Sequence, residues 1–199
     1  MTRRTRDDID RWFDHGLDVA GRTLYLGSSS RDGSEESGTD YDMAARAIKA
    51  LHTLDLTDGA INVLMNNPGG SVYDGLAIYD AIAGCRNNVT ITGYGHVMSM
   101  GAWILQAADD RALAPNAVVM IHYGSSSFAG HNQDLGRWAA EEARLNRLME
   151  DVFLERIRAK WPKYPLARLR RKLLFDSFLT AAAAVELGLA DRTLQDAIY

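Results

Sequence analysis

A chain of 199 residues is long enough for one domain that buries roughly 70% of its unfolded surface. Its 24% of charged residues and formal charge of −4 argue against a nucleic acid or an anionic membrane as partner. The single cysteine, Cys85, excludes an internal disulfide, and no apolar run reaches the roughly 20 residues of a transmembrane helix. Because the N-terminus also lacks the apolar core of a secretory signal, we expect a cytoplasmic protein.

The N-terminal region predicts a charged stub followed by a short amphipathic helix. Its apolar residues recur at helical spacing, at Ile9, Trp12, Phe13 and Leu17. We assign residues 1–21 to this region and residues 22–199 to a single domain. A strand is predicted at 23–26, and the Ser-, Gly- and acid-rich run at 28–40 is typical of an exposed loop.

Strands and helices then alternate through the middle of the chain. Apolar runs predict strands at 61–65, 89–94 and 118–121, and helical spacing predicts helices at 41–54, 76–82 and 100–108. This alternation predicts an α/β fold with a parallel sheet covered by helices, whose sites lie at the carboxyl ends of strands. Three candidate site elements follow predicted strands: the Gly69-Gly70 turn, Ser99 and His122.

The C-terminal third predicts three further helices. A long one runs from residue 132 to about 160, and its broad apolar stripe favours packing against a second subunit. The basic run at 168–172 is interpreted as the solvated face of a helix. A closing helix at 181–187 is stopped by Gly188.

Ser99 occupies the junction between a predicted strand and a predicted helix. A hydroxyl there lies at the positive end of a helix dipole, beside free backbone N–H groups, as an acyl-transfer nucleophile requires. Serine is also a common helix N-cap for structural reasons. This segment alone leaves both interpretations open.

An acyl-transfer serine needs a base and a group that orients the base. His122 directly follows a buried strand, although a satisfied core histidine is the alternative. Asp176 lies among apolar residues, so we predict a buried carboxylate that requires a partner. The other histidines are scattered and there is one cysteine, so we expect no metal site and no cofactor.

The glycine turn predicts the remaining part of such a site. The glycines of the Pro68-Gly69-Gly70 turn allow a backbone N–H to approach an oxyanion closely, and the N–H of Met100 is the natural second donor. A simple tight turn or a phosphate cradle are the alternatives. The cradle is disfavoured because no Lys or Thr follows as in a P-loop.

Four motifs in this order resemble those of the ClpP family of serine peptidases. They are Met65-Asn66-Asn67-Pro68-Gly69-Gly70, Ser99-Met100-Gly101-Ala102, Pro115-Asn116 with Val119-Met120-Ile121-His122, and Asp176-Ser177-Phe178-Leu179-Thr180-Ala181 leading into 186–191. The resemblance implies a crotonase-like spiral of ββα units with a protruding handle helix at about 132–160. It also implies Ser99 as nucleophile, His122 as general base and Asp176 as orienting acid, with Gly70 and Met100 donating N–H groups to the oxyanion.

The resemblance further implies a substrate and an assembly. An extended polypeptide would bind along Ser71 and Val72 on one side and Gly124 and Ser125 on the other. Members form heptameric homo-oligomeric rings that stack through the handles into a tetradecamer, and they receive unfolded substrate from an AAA+ ring ATPase.

Some positions depart from the family pattern. Asn62, Leu64 and Gly84 stand where aromatic residues form the ATPase-docking pocket, so we predict an altered pocket. Leu174-Phe175 replaces an Asp-Arg pair that couples ring contacts to activity. Gly124 replaces a proline, and the loop at 28–40 looks like an insertion.

The sequence therefore predicts a serine endopeptidase that cleaves polypeptides through an acyl-enzyme on Ser99. One alternative is a structural ring subunit that needs a paralogous partner for activity. A second is a crotonase-type acyl-CoA enzyme, which shares the spiral fold and the backbone oxyanion hole.

Overall fold

A computed structural model of the chain describes residues 5–27, 38–124 and 131–194, and over these it is a mixed α/β fold. The helices are α1 Arg6–His15, α2 Tyr41–Asp55, α3 Val72–Ala83, α4 Met100–Leu105, α5 Asn132–Lys160, α6 Leu166–Leu173 and α7 Ala181–Leu187. The strands are β1 Leu17–Asp18, β2 Thr23–Gly27, β3 Ile61–Asn67, β4 Val89–Met98, β5 Asp110–Leu113, β6 Val118–Ile121, β7 Ser177–Thr180 and β8 Arg192–Thr193. None of these helices is long and apolar enough to cross a membrane.

The strands form one sheet in the order β1-β2-β3-β4-β5-β8, with β6 paired to β4 and β7 paired to β6. The pairs from β2 through β8 along this path are parallel, as is the β4–β6 pair, which agrees with the predicted parallel sheet. Strands β1 and β7, which were not predicted from the sequence, pair antiparallel with their neighbours. The strands absent from the prediction have only two to four residues, too few for a clear hydrophobic period.

Strand β4 pairs with two different neighbours along its length and ends directly before Ser99, in the candidate site. Its first half pairs with β5 and its second half with β6, and its register against β3 shifts next to Asn66. Gly95 has φ +50° at this irregularity, and the N–H of His96 donates to Asn66 Oδ1 at 2.9 Å. The predicted strand ended at residue 94, because the glycines interrupt its alternation, whereas β4 continues to Met98.

The helices differ in how much of their surface they bury. Helix α2 buries its alanine- and leucine-rich face, although Ile48 of the predicted stripe is 41% exposed. Helix α4 is buried along its whole length and ends at Leu105, earlier than predicted. Helix α1 buries no residue, and Leu17, predicted on its apolar face, instead belongs to β1.

Helix α5 agrees with the predicted span and has two distinct halves. With 29 residues it is about 43 Å long. Its C-terminal half buries Phe153 and Ile157 in the core. Its N-terminal half leaves Leu135 and Trp138 nearly half exposed.

Candidate active site

The backbone of Ser99 is held in a conformation that few side chains adopt. Its φ is +52° and its ψ is −118°, where a non-glycine residue costs about 1–3 kcal/mol. Ser99 stands at the N-cap position of α4, yet its side chain makes no capping hydrogen bond. Its Oγ lies 2.9 Å from Nε2 of His122 instead. A structural cap therefore does not account for this serine.

The imidazole of His122 lies between a hydroxyl and a carboxylate. Its Nδ1 lies 2.8 Å from Oδ1 of Asp176, and its side chain is 23% exposed. A carboxylate only accepts hydrogen bonds, so the neutral ring carries its proton on Nδ1 and offers the Nε2 lone pair to the Ser99 hydroxyl. This is the tautomer that a general base for Ser99 requires.

Strand pairing explains why these residues meet. Strand β7 pairs antiparallel with β6, and the last pair is Ile121 opposite Ser177. One step further along this register, His122 stands opposite Asp176. On the other side of β6, the N–H of Ser99 donates to Met120 O at 2.8 Å, which holds Ser99 at the end of the parallel β4–β6 pair.

Asp176 is not buried, contrary to the sequence prediction. Its side chain is 57% exposed, and the flanking Leu174, Phe175 and Phe178 are between 62% and 78% exposed. Leu174, Phe175 and Phe178 thus form a surface patch at the edge strand β7, whereas Leu173 is buried. Its contact with His122 therefore depends on strand geometry rather than on enclosure.

The glycine turn after β3 packs directly against Ser99. Gly69 has φ +109° and Gly70 has φ +138°. A Cβ added at Gly69 would lie 2.6 Å from Cβ of Ser99, so only glycine permits this approach. The fully buried Asn67 accepts the Gly69 N–H on Oδ1 at 2.8 Å and holds the turn in this form.

Thr39 pairs with Gly70 in an isolated parallel β-bridge. This bridge determines which N–H and C=O groups of the glycine turn form hydrogen bonds within the chain. Thr39 N–H donates to Gly69 O at 2.5 Å, and Ser71 N–H donates to Thr39 O at 2.8 Å. Because successive residues of an extended chain present their backbone groups to opposite edges, the N–H of Gly70 faces away from Thr39. The Met100 N–H opens helix α4, where the helix itself supplies no acceptor.

A groove of about 720 Å³ extends from Ser99 and His122 along α5. Val72 and Gly124 line it, as predicted for substrate-binding residues, whereas Ser71 is not part of its lining and its N–H is taken by Thr39. Ser125 lies outside the described residues. The apolar part of the lining comes from Trp103, Leu135, Trp138, Leu145 and Met149.

One contact joins the two walls of this groove. Tyr73 of α3 donates its hydroxyl to Glu141 of α5 at 3.1 Å, and Arg144 donates to the same carboxylate. The Arg144 hydrogen bonds lower the pKa of Glu141, whereas desolvation and this carboxylate raise the pKa of Tyr73. Sequence reasoning missed these residues and Thr39, because each lies on a polar stretch whose partner is distant in the chain.

A strained serine, an imidazole and a carboxylate lie within hydrogen-bond distance of one another, beside a glycine turn and the first N–H of a helix. These are the parts of a serine hydrolase site. The comparisons with known proteins point to the same class. Residues 34–197 match the family described as Clp protease. The ATP-dependent Clp protease proteolytic subunit of Deinococcus radiodurans is 35% identical over 159 residues, which are 78% of this chain and 76% of that protein.

The chain belongs to the Clp protease family and is a serine-type peptidase. Its mixed α/β architecture is that of this family. The predicted family resemblance, fold class and enzyme class are thereby confirmed.

Proposed function

We propose that the chain is a serine endopeptidase that cleaves polypeptides through an acyl-enzyme on Ser99. The observation that carries this proposal is the pair of contacts at His122: 2.9 Å from Nε2 to Ser99 Oγ and 2.8 Å from Nδ1 to Asp176 Oδ1. Residues 22–199 form the peptidase domain in this proposal, with α5 as its handle.

The chemistry follows from these contacts. His122 Nε2 takes the hydroxyl proton as Ser99 Oγ attacks the scissile carbonyl carbon, and Asp176 stabilises the imidazolium that forms. The carbonyl oxygen becomes an oxyanion, which accepts hydrogen bonds from the N–H groups of Gly70 and Met100. His122 then protonates the leaving amine, and a water molecule, activated by the same imidazole, hydrolyses the acyl-enzyme.

The substrate in this proposal is an extended, unfolded segment of polypeptide. The groove beside Ser99 is open and largely apolar, and Val72 and Gly124 contribute to its lining near the reacting atoms. Backbone hydrogen bonds to such a segment supply affinity without regard to sequence, while the apolar walls select side chains. Ser71 and Ser125 remain predicted substrate contacts.

We also propose a homo-oligomer of stacked heptameric rings in the cytoplasm, fed by an AAA+ ATPase. Two apolar surfaces support assembly: the first half of α5, and the patch of Leu174, Phe175 and Phe178. The name of the relative from Deinococcus radiodurans includes ATP dependence. Since Asn62, Leu64 and Gly84 replace aromatic residues at the family's docking pocket, the ATPase of this chain would dock through changed contacts.

Labelling with a fluorophosphonate tests the assignment of Ser99. The purified wild-type chain should be labelled at Ser99 and should cleave a fluorogenic peptide, whereas Ser99→Ala should lose both and retain its native mass and circular dichroism. Ser34→Ala serves as a serine-to-alanine control that keeps both activities. Labelling of Ser99→Ala at the wild-type rate would contradict the proposal.

The same experiment separates the proposal from its two alternatives. A non-autonomous ring subunit would be unreactive alone and would become labelled once mixed with a paralogous subunit. An acyl-CoA enzyme would turn over a CoA thioester without covalent labelling of Ser99.

A further inference from the structure

Glu150 is a buried carboxylate of α5 that the proposed chemistry does not use. It is 5% exposed, and it accepts two hydrogen bonds from Arg170 of α6, from Nε at 2.9 Å and from Nη2 at 2.8 Å. Its Oε1 also accepts the hydroxyl of Tyr123, the residue that directly follows His122. Arg170 itself lies on the exposed face of α6, as predicted, with its side chain 53% exposed, and it reaches Glu150 from there.

We propose that Tyr123, Glu150 and Arg170 are positioning residues that hold His122 in register with Asp176. This inference rests on the proposed function, since it concerns the activation of Ser99 by His122.

Stability alone is a weak reason for such a network. Glu150 loses its hydration, whereas the Arg170 side chain stays 53% exposed, and replacement of such an ion pair by apolar residues of similar size is often neutral or stabilising. Removal of Arg170 alone, by contrast, would leave the buried carboxylate of Glu150 without its ion-pair partner. Stability therefore does not explain the network. Its hydrogen bonds instead fix the relative positions of α5, α6 and the segment that follows His122.

The contacts join the segment of the base to the segment of the acid. Tyr123 donates its backbone N–H to Leu173 O at 2.9 Å, at the end of α6, and its hydroxyl to Glu150. Arg170 belongs to the same helix, and Asp176 follows that helix by three residues. Since Asp176 is more than half exposed, enclosure does not restrain it, and its position depends on these attachments and on the β6–β7 pair.

The pKa shifts of Glu150 and Tyr123 favour hydrogen bonds that persist near neutral pH. Hydrogen bonds from Arg170 lower the pKa of Glu150, and desolvation together with Glu150 raises the pKa of Tyr123 to about 12. The carboxylate thus stays charged and the phenol stays protonated near neutral pH. A displacement of about 1 Å at a reacting group is sufficient to lower a rate about 100-fold.

The test compares Tyr123→Phe, Glu150→Gln and the double variant Glu150→Met with Arg170→Met. The readouts are the rate of fluorophosphonate labelling of Ser99, kcat and KM for a short fluorogenic peptide, and the melting temperature. We expect labelling and kcat to fall about tenfold in each variant, with KM within about twofold of wild type. The double variant removes both charges, so it should keep its melting temperature and still label slowly.

Asp191→Asn is the matched control, because it breaks another half-buried ion pair, that of Asp191 with Arg111. It should lower the melting temperature and leave labelling unchanged. Arg170→Lys keeps the positive charge beside Glu150, so its rate of Ser99 labelling should lie between that of wild type and that of the double variant.

Wild-type labelling rates in Tyr123→Phe and in the double variant would overturn the inference while the proposed function stands. An unlabelled wild-type Ser99 would overturn both. A purely structural role predicts a lowered melting temperature with an unchanged labelling rate, which also overturns the inference.

Discussion

At Ser99 a strained backbone and a glycine turn bring a hydroxyl and two N–H groups to one place. The strain at φ +52° persists because the surrounding contacts require it: Gly69 packs on the Ser99 Cβ, and Met120 accepts the Ser99 N–H. Asn67 in turn holds Gly69. The residues that support the reacting groups thus matter as much as those groups.

Asn67→Ala tests this support. The substitution removes the acceptor of the Gly69 N–H and the partner of the Thr39 hydroxyl, so the Gly69-Gly70 turn loses these two contacts. We expect about tenfold slower labelling of Ser99 and a stability loss of about 1–3 kcal/mol, measured by denaturant unfolding.

Asn87→Ala is the control for this substitution. Asn87 lies two residues before β4, at the opposite end of the strand from Ser99, and its side-chain amide makes three hydrogen bonds. This variant should lose stability and keep the labelling rate. Equal labelling of Asn67→Ala and Asn87→Ala would show that the turn holds its form without Asn67.

Acidification should slow the labelling of Ser99, because only a neutral imidazole accepts the serine proton. The rate measured between pH 8 and pH 5 should therefore decrease monotonically toward the acid end. A flat profile over this range would contradict the role of His122 as base.

At the scale of elements, the candidate site is the meeting point of four strand ends. The sequence predicted that the Gly69-Gly70 turn, Ser99 and His122 follow strands, and parallel pairing of β3, β4 and β6 brings those ends to one edge. The antiparallel β7 then adds Asp176 opposite His122. Strand β7 was not predicted, because it has only four residues and two of them are apolar. So short a segment shows no hydrophobic pattern that distinguishes a strand from a loop.

Connections at the far end of the sheet contribute to stability rather than to chemistry. Asp55, at the end of α2, accepts the backbone N–H groups of Arg86 and Asn87 and the amide of Asn87. These backbone hydrogen bonds, followed by the contacts of the Asn87 and Arg86 side chains, hold the pKa of Asp55 well below its ordinary value of 3.8. The charged form is therefore favoured by folding.

Asp55→Ala should lower the melting temperature at neutral pH. A lowered pKa in the folded state gives stability that is complete above the unfolded value of 3.8 and is lost as the pH falls below it. The difference in melting temperature between wild type and variant should thus shrink as the pH is lowered from 6 to 3. A constant difference would show that the charge of Asp55 is not the cause.

At the scale of the whole molecule, one group of exposed apolar side chains lies beside the candidate site. Leu174, Phe175 and Phe178 flank Asp176, and Trp138 projects from the first half of α5. A monomer rarely exposes such a group of large apolar side chains. This patch supports the proposed assembly, with contacts between subunits next to Asp176.

Phe175→Glu should weaken that assembly, because a charge would be buried at the contact. Native mass measurement should show smaller particles than wild type, and labelling of Ser99 should fall in parallel. Leu56→Glu, which introduces the same charge at another exposed apolar position at the end of α2, should leave the mass unchanged. A wild-type mass for Phe175→Glu would remove Phe175 from the interface.

By itself the sequence determined the order of the central strands and helices, the long α5 and the identity of the residues that meet at the site. These features rest on local signals: hydrophobic period, glycine and proline positions, and motifs whose spacing is fixed along the chain. Only the tertiary structure decided the conformation of Ser99, the exposure of Asp176, and the partnership of Thr39 and Asn67 with the glycine turn. Each of those depends on contacts between residues distant in sequence, whose energies no local pattern encodes.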